Sequence, residues 1–239
     1  MLISVICAYN NESLLNEMLV ESIKKQTYKD YEIIAVDTIK MGFNSAAEAL
    51  NYGSSISNGE ILVFTHQDIE LLDENIFYKI NGYCNNNDFG LAGIAGVSLS
   101  NRKVYSNVLQ GEEKTNGGDT IDEIVAVDSC DECFFFVKKN LFHGFEDLGL
   151  TWHLYAVEYS LRCINMNESV VVMPFSVFHK SEGELDSSYW KTLTRLGKKY
   201  ENKAKYLPTV FGVFINNRFL FLQIIAKRAI ILITKWAKK

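Results

Sequence analysis

Apolar positions in the first hundred residues recur with two alternating periods. Residues 2–8 are an unbroken apolar, β-branched run, which predicts a buried strand. Residues 12–26 place Leu15, Leu19 and Ile23 on one face of a helix. A second strand is predicted over 32–36 and a helix over 45–57, the latter carrying Ala46, Ala47, Ala49 and Leu50. A third strand over 60–65 follows the turn signal Asn58-Gly59. A helix over 73–84 with Asp73 as N-cap, and a strand over 90–97, complete the series. Strands alternating with helices in this way predict an α/β domain built on a mostly parallel sheet with helices on both faces.

Beyond residue 97 the alternation stops. Residues 98–122 are polar, contain Gly111, Gly117 and Gly118, and read as a long functional loop. Two short strands are expected over 125–137, around the bend Cys130-Asp131-Glu132-Cys133, then a helix over 155–166 and a strand over 169–178. Residues 214–236 are rich in Phe, Leu and Ile, but Lys227-Arg228 interrupts them, so they offer no clean membrane span. On a helical wheel Asn216, Gln223, Lys227, Thr234 and Lys238 cluster, opposite Phe219, Leu222, Ala226, Ile230 and Ile233. That pattern predicts an interfacial amphipathic helix; the alternative is a helix packed on the globular domain or in a homodimer interface. The expected division is a domain over 1–190 and a basic helical tail over 191–239.

Charge sharpens the picture of the tail. The net charge is −5, yet from Lys191 onward twelve Lys or Arg stand against the single acid Glu201, and the preceding residues carry a net −16. A basic end on an acidic body implies an anionic partner, and the tail's apolar content selects a membrane surface over a nucleic acid. No cationic leader precedes the first strand, so the expected location is cytoplasmic, peripheral at the inner face of the cell membrane. The five cysteines are scattered and odd in number, unlike a disulfide framework, and Cys130 and Cys133 lack two further nearby ligands for zinc.

Open α/β sheets bind ligands beyond the carboxyl ends of their strands. Those ends read Ala8-Tyr9-Asn10-Asn11, Val36-Asp37-Thr38 and His66-Gln67-Asp68. No G-x-G-x-x-G follows the first strand, which removes the main support for a dinucleotide site. Residues 66 and 68 share one side of an extended chain, so an imidazole and a carboxylate can converge on one cation. Manganese accepts both donor types. The alternative is a capped strand end, with Asp68 opening a turn.

At this point the sequence resembles the family 2 glycosyltransferases, which have the GT-A fold. The resemblance covers roughly residues 1–180 and rests on the order of several short pieces. They are Ser4-Val5-Ile6-Cys7-Ala8-Tyr9-Asn10, Ser22-Ile23-Lys24-Lys25-Gln26-Thr27, Tyr31-Glu32-Ile33-Ile34-Ala35-Val36-Asp37, Ala49-Leu50-Asn51-Tyr52-Gly53 and Asn58-Gly59-Glu60-Ile61. The resemblance implies that Asp37 accepts a hydrogen bond from the nucleobase, that Ala8, Tyr9 and Asn10 line the base and ribose site, and that Asn51 shapes the nucleotide pocket. His66-Gln67-Asp68 stands where relatives carry D-x-D, as in a subgroup with H-Q-D, so Asp68 and His66 are the expected metal ligands. His179, at the end of an apolar run, is the third.

Trp152-His153-Leu154-Tyr155-Ala156-Val157-Glu158 through Arg162 is similar to the acceptor-side motif of GT-A enzymes. Ala156 occupies the place of the usual base aspartate. Glu158 is then the first candidate base, with Asp131 and His153 as alternatives; the competing reading makes Glu158 and Arg162 a structural ion pair. The resemblance implies inverting transfer from a UDP- or dTDP-sugar, aided by Mn2+ or Mg2+, to a glycan or lipid-linked glycan in surface polysaccharide synthesis. A sugar nucleotidyltransferase would carry a glycine-rich, lysine-containing first loop, which Ala8-Tyr9-Asn10-Asn11 is not. A non-catalytic, glycan-binding descendant of a transferase is the rival from another class.

Overall fold

The computed structural model describes residues 1–181, 183 and 185–237, the last three by backbone alone. A seven-stranded sheet forms the centre, in the order Val125–Ala126, Val170–Val172, Leu91–Gly93, Phe134–Lys138, Ile61–Thr65, Ile3–Tyr9, Tyr31–Asp37. Ile3–Tyr9 lies parallel to both Tyr31–Asp37 and Ile61–Thr65. Phe134–Lys138 runs antiparallel to its two neighbours, so the sheet is mixed beyond its first three strands.

Both faces are covered. Residues 12–24 are helical, with a π-helical turn over Leu15–Val20, and bury Leu15, Leu19 and Ile23 as their spacing predicts. They share one core layer with Ile76, Phe77 and Ile80 of the helix Ile76–Asn86. The opposite layer joins Ala46, Ala47 and Leu50 of the helix Ala46–Ile56 to Tyr155, Ala156 and Tyr159 of Tyr155–Asn165. Two glycines set how closely the chain packs here. A Cβ on Gly53 would lie 2.5 Å from Ile6 Cγ2, and one on Gly59 would lie 2.6 Å from the Ser4 amide.

Several expectations need correction. The strand predicted over 90–97 breaks at Ile94, so Leu91–Gly93 stays in the main sheet while Ala95–Ser98 joins a three-stranded one. The expected loop 98–122 holds the strands Lys103–Ser106, Val108–Gln110 and Thr115–Asn116. The region 125–137 contains three strands rather than two. The strand expected over 169–178 divides into Val170–Val172 and Val177–His179. Asp73 does not cap the helix Ile76–Asn86; its carboxylate instead accepts from the Asn75 amide and pairs with Lys79.

The helix Ser187–Lys199, expected only as part of a basic helical tail from residue 191, runs through the boundary expected after residue 190. Its Trp190, Leu193 and Leu196 pack with Leu154, Val157 and Leu161, and with Leu207 and Phe214 of the hairpin Tyr206–Thr209/Gly212–Ile215. Phe214, expected at the start of the tail helix, belongs to that hairpin, and the last helix is Leu220–Ala237. No described helix is long and apolar enough to cross a membrane. The expected role of Lys238 lies outside the described residues.

Candidate active site

Parallel pairing places Tyr9 beside Asp37 at one end of the sheet. The Tyr9 hydroxyl lies 3.5 Å from Asp37 Oδ2, while Asp37 Oδ1 accepts from the Lys40 amide at 2.9 Å and caps the short helix Thr38–Met41. Asp37 therefore keeps one half-buried oxygen toward the strand ends. Asn10 and Gln67 hold each other. Gln67 Oε1 accepts from the Asn10 and Asn11 amides at 3.1 and 3.0 Å, and its Nε2 donates to Asn10 Oδ1 at 2.8 Å. Gln67 thus fastens the loops after the first and third strands, and its amide is spent on protein rather than aimed at a ligand.

His66, Asp68 and His179 converge although 113 residues separate the outer pair. The local pairing explains this. Ile69–Leu71 and Val177–His179 are antiparallel with His179 opposite Ile69, and the Lys180 amide bonds Asp68 O at 3.0 Å. His66 Nδ1 lies 3.3 Å from His179 Nε2, which lies 3.2 Å from Asp68 Oδ1. Donor atoms of all three fall within 4.8 Å of one another. Burial, reinforced by His179 beside it, lowers the His66 imidazole to about 4, so it offers a lone pair at neutral pH. For Asp68 burial alone would favour the neutral acid. The hydrogen bond and charge of His179, with a bond from Ser181, outweigh it and hold the carboxyl well below its usual range. An unprotonated imidazole, an ionised carboxylate and a second imidazole, held at adjoining strand ends, fit a divalent cation. Their mixed donor set suits manganese better than magnesium.

Beside this cluster lies a cavity of about 510 Å³. Ala8, His66, His179, Asp131, Glu132 and His153 line it, and Trp152, Tyr155 and Phe211 add aromatic surface. The Tyr155 hydroxyl bonds the Glu132 carbonyl at 3.3 Å and approaches His66 Nε2 at 3.5 Å. Asp131 Oδ1 accepts from the Cys133 amide at 3.0 Å, which fixes that carboxylate at the cavity wall. Glu132 Oε1 accepts from the Leu154 amide at 2.9 Å, just ahead of the helix Tyr155–Asn165. Burial, and then the charge of Asp131, raises the Glu132 carboxyl to about 8. His153 lines the cavity with Nε2 3.4 Å from Asp186 Oδ1, and burial lowers its pKa.

A family profile described as glycosyltransferase-like matches residues 4–206. The chain belongs to that glycosyltransferase-like family. Its fold is of GT-A type, as three solved structures illustrate. GalNAc-T7 with UDP, GalNAc and Mn2+ is similar at a TM-score of 0.61 and 14% identity, over 83% of this chain but 48% of its own. The mannosyltransferase PcManGT from Pyrobaculum calidifontis, with GDP-Man and Mn2+, gives 0.59 and 17% over 99% of this chain and 75% of its own. TarS 1–349 from S. aureus, with UDP-GlcNAc, gives 0.56 and 15% over 84% and 67%. This chain thus spans about half the length of the first of these and two thirds or more of the others. No curated protein matches in sequence.

Two expected site residues of this family member, Glu158 and Asn51, are not among the cavity-lining residues. Glu158 does not line the cavity. Its side chain is 1% exposed and its oxygens bind Lys199 at 2.6 Å, the Tyr200 hydroxyl at 2.9 Å and Arg162 at 3.4 Å. Glu158 thus sits in a buried ion-pair cluster with Arg162, Lys199 and Tyr200, Lys199 coming from the helix Ser187–Lys199. Asn51 also turns away, clamping the amide and carbonyl of Phe145 at 2.8 Å each. Ala156 is completely buried in the core against the sheet, where an aspartate would lack room and water. Sequence reasoning missed Glu132, Tyr155 and Phe211 as cavity residues. The adjacent acids Asp131-Glu132 were a usable signal; nothing in the sequence linked Phe211 to a site so far upstream.

Proposed function

We propose that this chain transfers a glycosyl group from a nucleoside diphosphate sugar, a UDP- or dTDP-sugar, to an acceptor hydroxyl with inversion. The observation that carries the proposal is the convergence of His66, Asp68 and His179 at the edge of a cavity beside the strand ends. Asp37 offers an oxygen to the nucleobase, and Tyr9 and Ala8 supply the wall next to it. A manganese or magnesium ion held by His66, Asp68 and His179 would supply positive charge for the departing diphosphate. Asp131 is the base: it takes the acceptor proton as the acceptor oxygen bonds to the anomeric carbon and the bond to diphosphate breaks. Glu132, protonated at neutral pH, keeps a second negative charge out of the wall. Trp152, Tyr155 and Phe211 give a sugar ring a flat apolar surface, which fits a glycan or lipid-linked glycan acceptor.

Titration calorimetry with UDP, dTDP and GDP, with and without manganese, tests the donor site. Manganese-dependent binding of UDP or dTDP that Asp68→Ala abolishes is the expected result. Binding of none of the three overturns the donor assignment. Donor binding with no turnover or donor hydrolysis would instead favour a non-catalytic glycan-binding protein.

A further inference from the structure

The last helix turns Gln223 and Lys227 toward the hairpin. Gln223 is half-buried and clasps the hairpin, its Oε1 accepting from the Ile215 amide at 2.8 Å and its Nε2 donating to the Ile215 carbonyl at 2.9 Å. Half-buried Lys227 lies against Gly212 of the same hairpin. Leu220 and Ile224 complete the inward side. The outward side holds Phe221, Leu222, Ile225, Ile230, Leu232 and Ile233, which are 47–68% exposed. At 3.6 residues per turn these positions, with Ala226 and Ala229, cover roughly half the helix circumference without a charge among them. A water-facing helix has the reverse arrangement. Exposed Val213 and Ile215 of the hairpin extend the apolar surface.

We infer that this face is a membrane-binding surface that seats the protein on an anionic lipid bilayer, with the helix lying in the interface. The charges around the face choose the occupant. Exposed Arg218 and Arg228 flank it, and the sequence adds Lys235, Lys238 and Lys239 beyond. From residue 191 on, twelve basic residues stand against one acid. A second copy of the chain would bring two such basic segments together, whereas anionic headgroups neutralise them. As described, the helix is not long and apolar enough to cross a membrane, and an apolar face flanked by cations suits contact with one leaflet. This inference is independent of the donor reading.

Co-sedimentation of the full chain with vesicles tests it. Phosphatidylglycerol-containing vesicles should bind, pure phosphatidylcholine should bind weakly, and raising salt to about 1 M should release much of the bound protein. Leu222→Ser with Leu232→Ser should cut partitioning by ~10-fold or more, and Arg218→Glu with Arg228→Glu should remove the preference for anionic lipid. Both double variants alter exposed positions, and circular dichroism checks their fold. Full-length protein that ignores phosphatidylglycerol vesicles overturns the inference. So does binding that neither double variant changes, or a solution dimer dissolved by the leucine variants in a protein that leaves vesicles unbound.

Discussion

A carboxylate that is to remove a proton from an acceptor hydroxyl needs a free lone pair facing the cavity. Asp131 meets that condition, and Glu158, ringed by Lys199, Arg162 and Tyr200, does not. Asp131→Asn keeps the shape and removes the base, so turnover should fall by about 10²–10⁴-fold while donor affinity stays within about twofold. Near-normal turnover in that variant would remove Asp131 from the mechanism. Glu158→Gln should act through the fold. It leaves Lys199 and Arg162 without their buried counter-charge, so stability should drop by about 1–3 kcal/mol with turnover of the folded fraction nearly unchanged. Denaturant titration beside a rate assay separates the two effects. Glu132 adds a pH signature. A carboxyl raised to about 8 by burial binds more protons in the folded than in the unfolded state between pH 4.5 and 8. Stability therefore falls as pH rises through that window. Glu132→Gln should flatten the decline, and parallel melting curves at pH 6 and 9 would show it.

Elements are placed by contacts as close as that between Gly53 and the first strand. Alanine in a helix interior is ordinarily favoured over glycine by about 1 kcal/mol. Here the added Cβ would meet Ile6 Cγ2 at 2.5 Å and Val36 Cγ2 at 3.3 Å, both on stiff β-branched side chains. Overpacking of this kind costs about 1–3 kcal/mol and should win, so Gly53→Ala is expected to lower the melting temperature. A rise would mean that the helix can slide on the sheet. The same closeness explains which elements were legible in sequence. The first three strands and the helices at 12–24, 46–56 and 155–165 are long and periodic, because one face or both must be buried. The strands Lys103–Ser106, Val108–Gln110 and Thr115–Asn116 have four residues or fewer and half-exposed side chains, too short for a period to show. The break at Ile94 lies inside a continuous apolar run and arises only because the two halves pair with different partners. In the site, the tripeptide at 66–68 stood out at a strand end, whereas His179 was singled out only through the family resemblance. The clasp between Asn10 and Gln67, and the burial of Glu158, depend on contacts between distant segments that spacing does not report.

On the scale of the whole molecule, the helix and hairpin that follow residue 186 pack on the rest of the described chain. Ser129 Oγ bonds Pro208 O at 2.8 Å and the Tyr189 hydroxyl bonds Thr209 Oγ1 at 2.9 Å, so the hairpin is tied to both the sheet region and the helix before it. Val210 and Phe211, at its turn, close one side of the cavity. Cutting the chain after residue 190 would remove Leu193, Leu196, Tyr200 and Leu207 from the cluster that covers Leu154, Val157 and Leu161. Each buried side chain of that size contributes roughly 1.5–3 kcal/mol, and their sum rivals the ~5–15 kcal/mol that holds a typical domain together. The same cut would strip Lys199 and Tyr200 from Glu158, leaving a buried carboxylate with Arg162 alone. A protein of residues 1–190 should therefore aggregate or lose cooperative melting. Cutting after residue 217 keeps the helix Ser187–Lys199 and the hairpin, and forfeits Leu220 and Ile224, so it should melt cooperatively at a reduced temperature. Calorimetric scans of the two shortened chains decide the matter. A cooperative transition near the full-length temperature in residues 1–190 would show that the boundary read from the sequence is the true one, and that the later elements are an appendage after all.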